Sequence, residues 1–224
     1  MQQFIGKYFV VRIDAATALD ADSTFVGDMH FLAASELRPI VVAPDPPTAR
    51  NLVRALNRSG NTALALGGSD AGMIPQGPEG IGIVQVAILQ TLTGAGYIPV
   101  IEPTAFAVFG ACDVAVVADE VAASIASATE AVRAVFCHVA GGVVDPQTQT
   151  LVEQLTPAEA LTLADDGRLP MDMSATVRAA ARGVRAGVSA AQIVDGRLAH
   201  ATIVELLTMH HLGTQVSGGV VLTA

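Results

Sequence analysis

Tryptophan is absent from this 224-residue chain, tyrosine occurs twice, and aromatic residues reach only 4% of the total. The apolar content, 51% of positions, therefore comes mainly from alanine, valine and leucine. That content excludes disorder and suffices for one large core or two lobes sharing a sheet. Basic residues are few as well: 12 Lys and Arg stand against 21 Asp and Glu, a formal charge of −9. The field of such a molecule repels polyanions, which excludes nucleic acid as a partner. Arg178, Arg182 and Arg185 fall at helical spacing and read as a solvated helix face rather than a phosphate site.

Cysteine is nearly lacking. Cys112 and Cys137 have neither CxxC spacing nor a secretory context, so both read as reduced thiols. No second ligand pair at zinc spacing accompanies Cys137-His138, and the adjacent side chains of His210-His211 diverge on a helix, so no metal centre is expected. One uncharged stretch, Ile81 to Ile101, is long enough to span a bilayer. Gln85, Gln90, Thr91 and Thr93 punctuate it and Gly94-Ala95-Gly96 breaks it, so it reads as a buried helix, a glycine turn and a core strand. No signal peptide is read ahead of Lys7-Tyr8, and the chain is expected to be cytoplasmic, with no membrane contact.

Short valine-rich runs alternate with alanine-rich helical stretches, the pattern of an α/β fold with a mainly parallel open sheet sandwiched by helices. Tyr8 to Ile13 is apolar on both faces, as a central parallel strand is. A loop over residues 14–22, a helix to about Leu37 and a strand from Pro39 to Ala43 follow. Pro44-Asp45-Pro46-Pro47 is expected to be non-helical, with a helix only from Ala49 to Arg58 and a strand from Thr62 to Leu66. Residues 75–80 read as an exposed connector. Beyond the Tyr97 strand come a hairpin-like segment from Ala105 to Val117, a helix from Asp119 to Ala128, a strand from Ala134 to Val139 and the turn Gly141-Gly142. Thr156-Pro157-Ala158-Glu159 is a capping box with proline at the first helical position, and a further helix runs from about Ser174 to Ala186.

The last third carries the most specific unit. Ile193-Val194 leads into the turn Asp195-Gly196-Arg197, then a helix with an apolar face at Ala201, Val204 and Leu207, a stop at Gly213 and a strand from Thr214 to Val216. Strand, helix and strand in this order are expected to close a βαβ unit of a parallel sheet, with ligands at the carboxyl ends of the strands.

These pieces, in this order, resemble the amino-acid kinases, and among them the acetylglutamate kinases. YFVVRI with Asp14-Ala15 resembles that family's first strand and its lysine-and-glycine loop. PIVVAPDPP resembles its strand ending in a histidine-glycine motif, and NLVRALNRSGNTALALGGSDAG its helix, strand and glycine loop. VVADEVAASIA is similar to VNADxxAxxIA, GRLPMDMSATVRAA to the GGMxxK helix, and IVDGRLAH through LGT to IIDGRxxH through GT. The resemblance implies one domain over residues 1–224, with a shortened acceptor lobe over about 1–110 and a nucleotide lobe over about 111–224. It also implies ATP and Mg as cofactors, a small molecule or amino acid as ligand, a homo-oligomer, and phosphoryl transfer to a carboxylate. Such transfer needs in-line positioning, positive charge and backbone N–H donors around the moving group.

Carried over residue by residue, the resemblance places Asp119 as the organising aspartate and Arg12 at the first lysine. A guanidinium spreads its charge over a planar fork and does not simply replace a compact ammonium. Asp14 and Ala15 stand for glycines, Pro44, Asp45 and Pro46 for the second glycine loop, Thr176 for the second lysine and Asp172 for another glycine. Ala115 and Val117 replace asparagines. Val139 replaces an aspartate near the nucleotide, beside His138 of the same lobe. The stretch between PIVVA and Ala49 is too short for the acceptor-binding hairpin. The expectation is a kinase scaffold that has lost acetylglutamate phosphorylation and serves in binding, regulation or assembly.

Two alternatives are open at this point. Asp14, Asp45, Asp119 and Asp172 could converge as a carboxylate cluster for a divalent cation, or for altered chemistry on a small carboxylate or amino-acid-derived substrate. Leu169-Pro170-Met171-Asp172 also resembles a stretch of the molybdenum and tungsten storage subunits, which implies a metal or oxoanion store. Finally, His200, Glu205, Gly213 and Thr214 match the effector pocket of arginine-regulated relatives, unless the same residues merely close the sheet.

Overall fold

The computed structural model describes residues 2–19, 24–107, 112–145, 147–208 and 212–218; His210, His211 and the turn of the Ala105 to Val117 segment lie outside them. The first half of the chain forms β1 (Tyr8–Arg12), α1 (Ala15–Leu19), α2 (Phe25–Ala34), β2 (Arg38–Val42), α3 (Pro46–Leu56) and β3 (Ala63–Leu66). Then come β4 (Pro75–Gly77), β5 (Gly80–Ile81), α4 (Ala87–Gly94), β6 (Ile98–Ile101), β7 (Thr104–Ala107) and β8 (Asp113–Ala115). The rest forms α5 (Ala118–Ala128), β9 (Arg133–Cys137), β10 (Gln154–Leu155), α6 (Pro157–Asp165), α7 (Met171–Arg185), β11 (Ala190–Val194), α8 (Ala201–Leu207) and β12 (Thr214–Ser217).

The main sheet runs β10-β12-β11-β9-β1-β2-β6-β3, and its strands from β11 to β3 are parallel. Successive side chains of a strand point to opposite faces, so a strand covered on both sides must be apolar throughout. Tyr8, Val10, Ile40, Phe136 and Ile193 accordingly enter the core that includes Val121 and Ile125 of α5 and Val177 of α7. Phe9, Val11, Val41, Val135 and Val194 enter the opposite core with Met29 of α2, Leu52 of α3 and Leu206 of α8. The expected open, mainly parallel sheet between helices is what forms. The strand β1 lies between β9 and β2, so its carboxyl end opens where the chain's two winding directions part, the usual place for a site in such sheets.

Several local expectations are corrected. The final strand β12 runs antiparallel to β11, Thr214 opposite Ile193 and Ser217 opposite Ala190, so the last unit is not a parallel βαβ closure. At Gly213 the chain passes against the end of β11, where a Cβ would stand 2.0 Å from the Ile193 carbonyl oxygen. The chain therefore re-enters the sheet at the rim where β11 ends, and has only one direction in which to continue. The proline cluster is helical from Pro46, because the first helical positions need no N–H and the fixed proline φ suits them. The loop after β1 contains the short helix α1.

Residues 75–80 are not a connector. They contribute to the hairpin β4-β5, part of a four-stranded sheet in the order β5-β4-β7-β8. The stretch from Ile81 folds its helix only over Ala87–Gly94, with Leu89 and Thr93 buried, while Ile83 is 82% exposed. Among the described residues no helix is long and apolar enough to cross a membrane.

Candidate functional site

At the carboxyl end of β1 the Arg12 side chain turns back over the sheet. Its Nη1 donates to the Cys137 carbonyl at 3.0 Å and its Nη2 to Asp119 Oδ2 at 3.0 Å. Asp119 lies in the first turn of α5, whose N-cap residue Val117 offers no side-chain oxygen, so the carboxylate sits where a helix favours negative charge. Its other oxygen, Oδ1, accepts from Thr176 Oγ1 of α7 at 3.0 Å. Sheet, α5 and α7 are thus tied by one chain of contacts, in which the Asp119 side chain is only 5% exposed. Arg12 Nε is buried without a hydrogen-bond partner among the described residues. The family-derived trio Arg12, Asp119 and Thr176 is brought together, and its members face one another.

The amino-terminus of α3 is closed by its own sequence. Pro46 and Pro47 have no N–H, the Thr48 N–H donates to Asp45 Oδ1 at 2.7 Å, and Ala49 N–H donates to the Asp45 carbonyl at 3.0 Å. Thr48 Oγ1 occupies Asp45 Oδ2 at 2.9 Å. A helix start that binds anions does so through free N–H groups, and each of the first four positions here is either proline or already bonded. Only Ala43, Pro44 and Asp45 separate β2 from α3, which leaves no room for an acceptor hairpin. Asp14 plays the same part for α1, its Oδ1 accepting from Thr17 N–H at 2.7 Å.

His138 and Asp172 meet across the gap between β9 and α7. Ala140 N–H donates to His138 Nδ1 at 3.2 Å, which leaves the ring proton on Nε2, 3.4 Å from Asp172 Oδ2. His138 is buried, whereas the Asp172 side chain is 70% exposed. Cys137 beside it is inert: burial pushes its thiol up to about 12, with the Asp14 carboxylate adding to the rise. The four aspartates do not assemble as a cluster. Asp45 and Asp14 cap helices, Asp119 is held by Arg12 and Thr176, and no group of three or more His, Cys, Asp or Glu among the described residues is arranged to hold a metal ion. The arginine stripe of α7 is paired outward, Arg178 with Asp165 and Arg182 with Glu120.

The four effector-like residues all have internal contacts. His200 stands at the start of α8 in a left-handed conformation, φ 56°, and its Nδ1 donates to Asp28 Oδ1 of α2 at 2.7 Å. Burial raises the Asp28 pKa above its ordinary value, and the His200 contact offsets part of that rise. Glu205 is buried, its carboxylate accepting from Leu212 N–H and its carbonyl from Arg133. Thr214 Oγ1 accepts from Val143 N–H and donates to the Val152 carbonyl, both at 2.7 Å. In the adjoining turn, Arg197 holds Asp195 by three hydrogen bonds and lowers its pKa. A Cβ on Gly196 would lie 2.3 Å from Thr17 Oγ1 and 2.7 Å from Cys137 Sγ.

Neither the Cys137 carbonyl as an acceptor for Arg12 nor the Asp28–His200 pair was expected from the sequence. A lone acid in the apolar face of α2 was the available signal for the second. Backbone acceptors leave no signal in a sequence.

A sequence model of the Amino acid kinase family matches residues 47–195. Acetylglutamate kinase from Nostoc sp. strain PCC 7120 is 30% identical over 270 residues, covering 97% of this chain and 90% of that protein. The same enzyme from Acidiphilium cryptum is 32% identical over 219 residues, covering 88% and 73%. An aligned length of 270 exceeds the chain's own 224 residues, so the Nostoc protein carries insertions that this chain lacks.

Among solved structures, N-acetylglutamate synthase from Neisseria gonorrhoeae, complexed with coenzyme A and N-acetyl-glutamate, superposes with a TM-score of 0.80 at 19% identity. That match covers 96% of this chain but only 60% of the synthase. Carbamate kinase from Giardia lamblia bound to AMP-PNP superposes with a TM-score of 0.67 at 11% identity, covering 95% of this chain and 98% of that one. At these identities the structures speak for the fold alone.

Proposed function

We propose that this chain, which belongs to the amino acid kinase family and is similar to acetylglutamate kinases, has lost phosphoryl transfer and uses the scaffold to bind or regulate. The observation that carries this reading is the Arg12–Asp119–Thr176 chain. The one cation on the family's first lysine position is bonded to the aspartate that should organise it, and the second lysine position holds a hydroxyl bonded to the same carboxylate. Both terminal nitrogens of Arg12 are taken by the protein's own oxygens, the Cys137 carbonyl and Asp119, and neither lysine position supplies an ammonium to meet a γ-phosphoryl group.

The closed start of α3 supports the same reading, because it removes the backbone donors from the second phosphate loop. Losing one such donor costs about 3 kcal/mol of transition-state stabilisation, and here a set of donors and both ammonium groups are missing together. Mg could find carboxylates at this rim, but Asp45 and Asp119 already have both oxygens engaged.

Calorimetric titration with MgATP, paired with an ADP-release assay on acetylglutamate, tests the proposal. No saturable heat and no ADP above the protein-free control are expected. Turnover on the order of 1 s⁻¹ or faster would show that the lock opens and that the chain is a working kinase.

A further inference from the structure

Where β2 and β6 begin, on the rim of the main sheet opposite Arg12, the ends of α2 and α4 leave a cavity of about 350 Å³. The strand β1 stands between it and β9. Ile5, Ala33 and Leu37 supply apolar wall, and much of the rest is bare backbone, since a Cβ at Gly6, Gly94 or Gly96 would meet nothing within 4 Å. Two charged side chains line it, Glu36 and Arg38.

Arg38 opens β2 opposite Tyr8 of β1 and is half-buried. Its Nη1 donates to the Tyr8 hydroxyl at 2.9 Å, with Cζ 5.3 Å from the centre of the Tyr8 ring. Nε and Nη2 donate to nothing among the described residues, and neither is sealed from solvent. Glu36 is exposed, at the turn from α2 into β2, in a left-handed conformation with φ 61°. No carboxylate among the described residues lies within 4.0 Å of the Arg38 guanidinium, and no cation lies within that distance of Glu36. The Gly94 carbonyl ends α4 without a backbone donor among the described residues, because the Tyr97 and Ile98 N–H groups go to the Leu92 and Thr62 carbonyls.

Opposite charges that line one cavity, and touch neither each other nor a third charge, are matched by a ligand that carries both. A lone anion is repelled by Glu36, and a lone cation by Arg38. An extended dipeptide spans about 7 Å between its ends, whereas a free amino acid holds both charges on one carbon. The last turn of a helix favours positive charge, which puts the ammonium at Glu36 and the end of α4. The carboxylate then falls to Arg38 Nε and Nη2, whose hydrogens run parallel along one edge of the planar group. We propose that this cavity binds a zwitterionic peptide of dipeptide size, its ammonium held by Glu36 and the Gly94 carbonyl, its carboxylate by Arg38, and its side chains against Ile5 and Ala33.

The full chain should be titrated calorimetrically with alanyl-leucine, N-acetyl-alanyl-leucine, alanyl-leucinamide and free leucine at matched ionic strength. Saturable heat is expected from the dipeptide. Acetylation should weaken binding about threefold, as loss of an exposed ionic contact does, and amidation about tenfold, as loss of hydrogen bonds between charged groups does. Free leucine should bind more weakly than the dipeptide.

Glu36→Gln should bind the free and acetylated dipeptides alike, and Arg38→Gln the free and amidated ones alike. If Arg38→Gln fails to fold, Glu36→Gln still decides, because Glu36 is exposed and its carboxylate bonds to nothing among the described residues. Absence of saturable heat, equal affinity for blocked and free peptides, or an acetylation penalty that survives in Glu36→Gln would overturn the proposal. So would leucine binding as tightly as the dipeptide.

Discussion

Arg12 at the ending rim of the sheet and Arg133 at the starting rim are both largely buried guanidinium groups, yet their surroundings differ. Arg12 lies against a carboxylate that is itself held by Thr176, so its charge is balanced on the spot. Among the described residues, Arg133 has only carbonyl and amide oxygens as hydrogen-bond acceptors, on one of its two terminal nitrogens. Burial of a cation is therefore no guide to its role. What separates a structural contact from a vacant one is which donors already have acceptors.

The sharpest way to break this contrast is to remove Arg12. Arg12→Met leaves Asp119 buried with Thr176 as its remaining side-chain partner, and should cost about 3 kcal/mol or more in urea unfolding. A loss under about 1 kcal/mol would mean that the contact contributes little and that the site is free to rearrange. Gly213→Ala comes next: its Cβ would collide with the Ile193 and Gly141 carbonyls, so a cost of about 2–3 kcal/mol is expected, unchanged by added arginine. If arginine rescued the variant, the effector-pocket reading of this turn would gain over the packing reading.

Asp45→Ala removes the cap of α3 and should cost about 1 kcal/mol. It also frees the Thr48 N–H, so any gain of nucleotide binding would appear in this variant first. Arg133→Met should stay within about 1 kcal/mol of the parent protein, since an apolar side chain suits a site where no acid is left stranded in contact. A cost matching that of Arg12→Met would erase the difference between the rims.

The Asp28–His200 pair provides a pH test. Because burial raises the Asp28 pKa, the folded state keeps this proton to higher pH than the unfolded state does. Its contribution to stability is whole below the unfolded pKa and declines as pH rises through the folded one. Asp28→Asn should flatten that part of a plot of urea midpoint against pH, and an unchanged slope would remove Asp28 as its source.

The scaffold was legible because burial on both faces demands long apolar runs, and Tyr8 to Arg12 or Arg133 to Cys137 meet that demand plainly. The capping box at Thr156 and Glu159 formed as its spacing implied. Strand direction was not legible at β12. Apolar periodicity is the same for parallel and antiparallel pairing, and the direction follows from the rim at which the chain re-enters, Thr214 lying opposite Ile193 at the end of β11. The prolines before Ala49 misled for a related reason: proline ends a helix from within but suits its first turn, and composition alone does not say which.

At the site, the resemblance brought Arg12, Asp119 and Thr176 to one place but could not show that they bond to one another. The suggested aspartate cluster dissolved into two helix caps, a buried ion pair and an exposed carboxylate beside His138. Arg133 left a signal that went unread, a charge inside an otherwise apolar strand.

Gly196 and Gly213 each sit where a single extra carbon would strike a neighbour, and Asp195 with Arg197 pins the turn between them. Letters such as DGR and GT can thus be retained by crowding alone, whatever becomes of the reaction next to them. A motif search that scores these positions is weighing steric fit, and will go on returning high marks for proteins whose chemistry has gone silent.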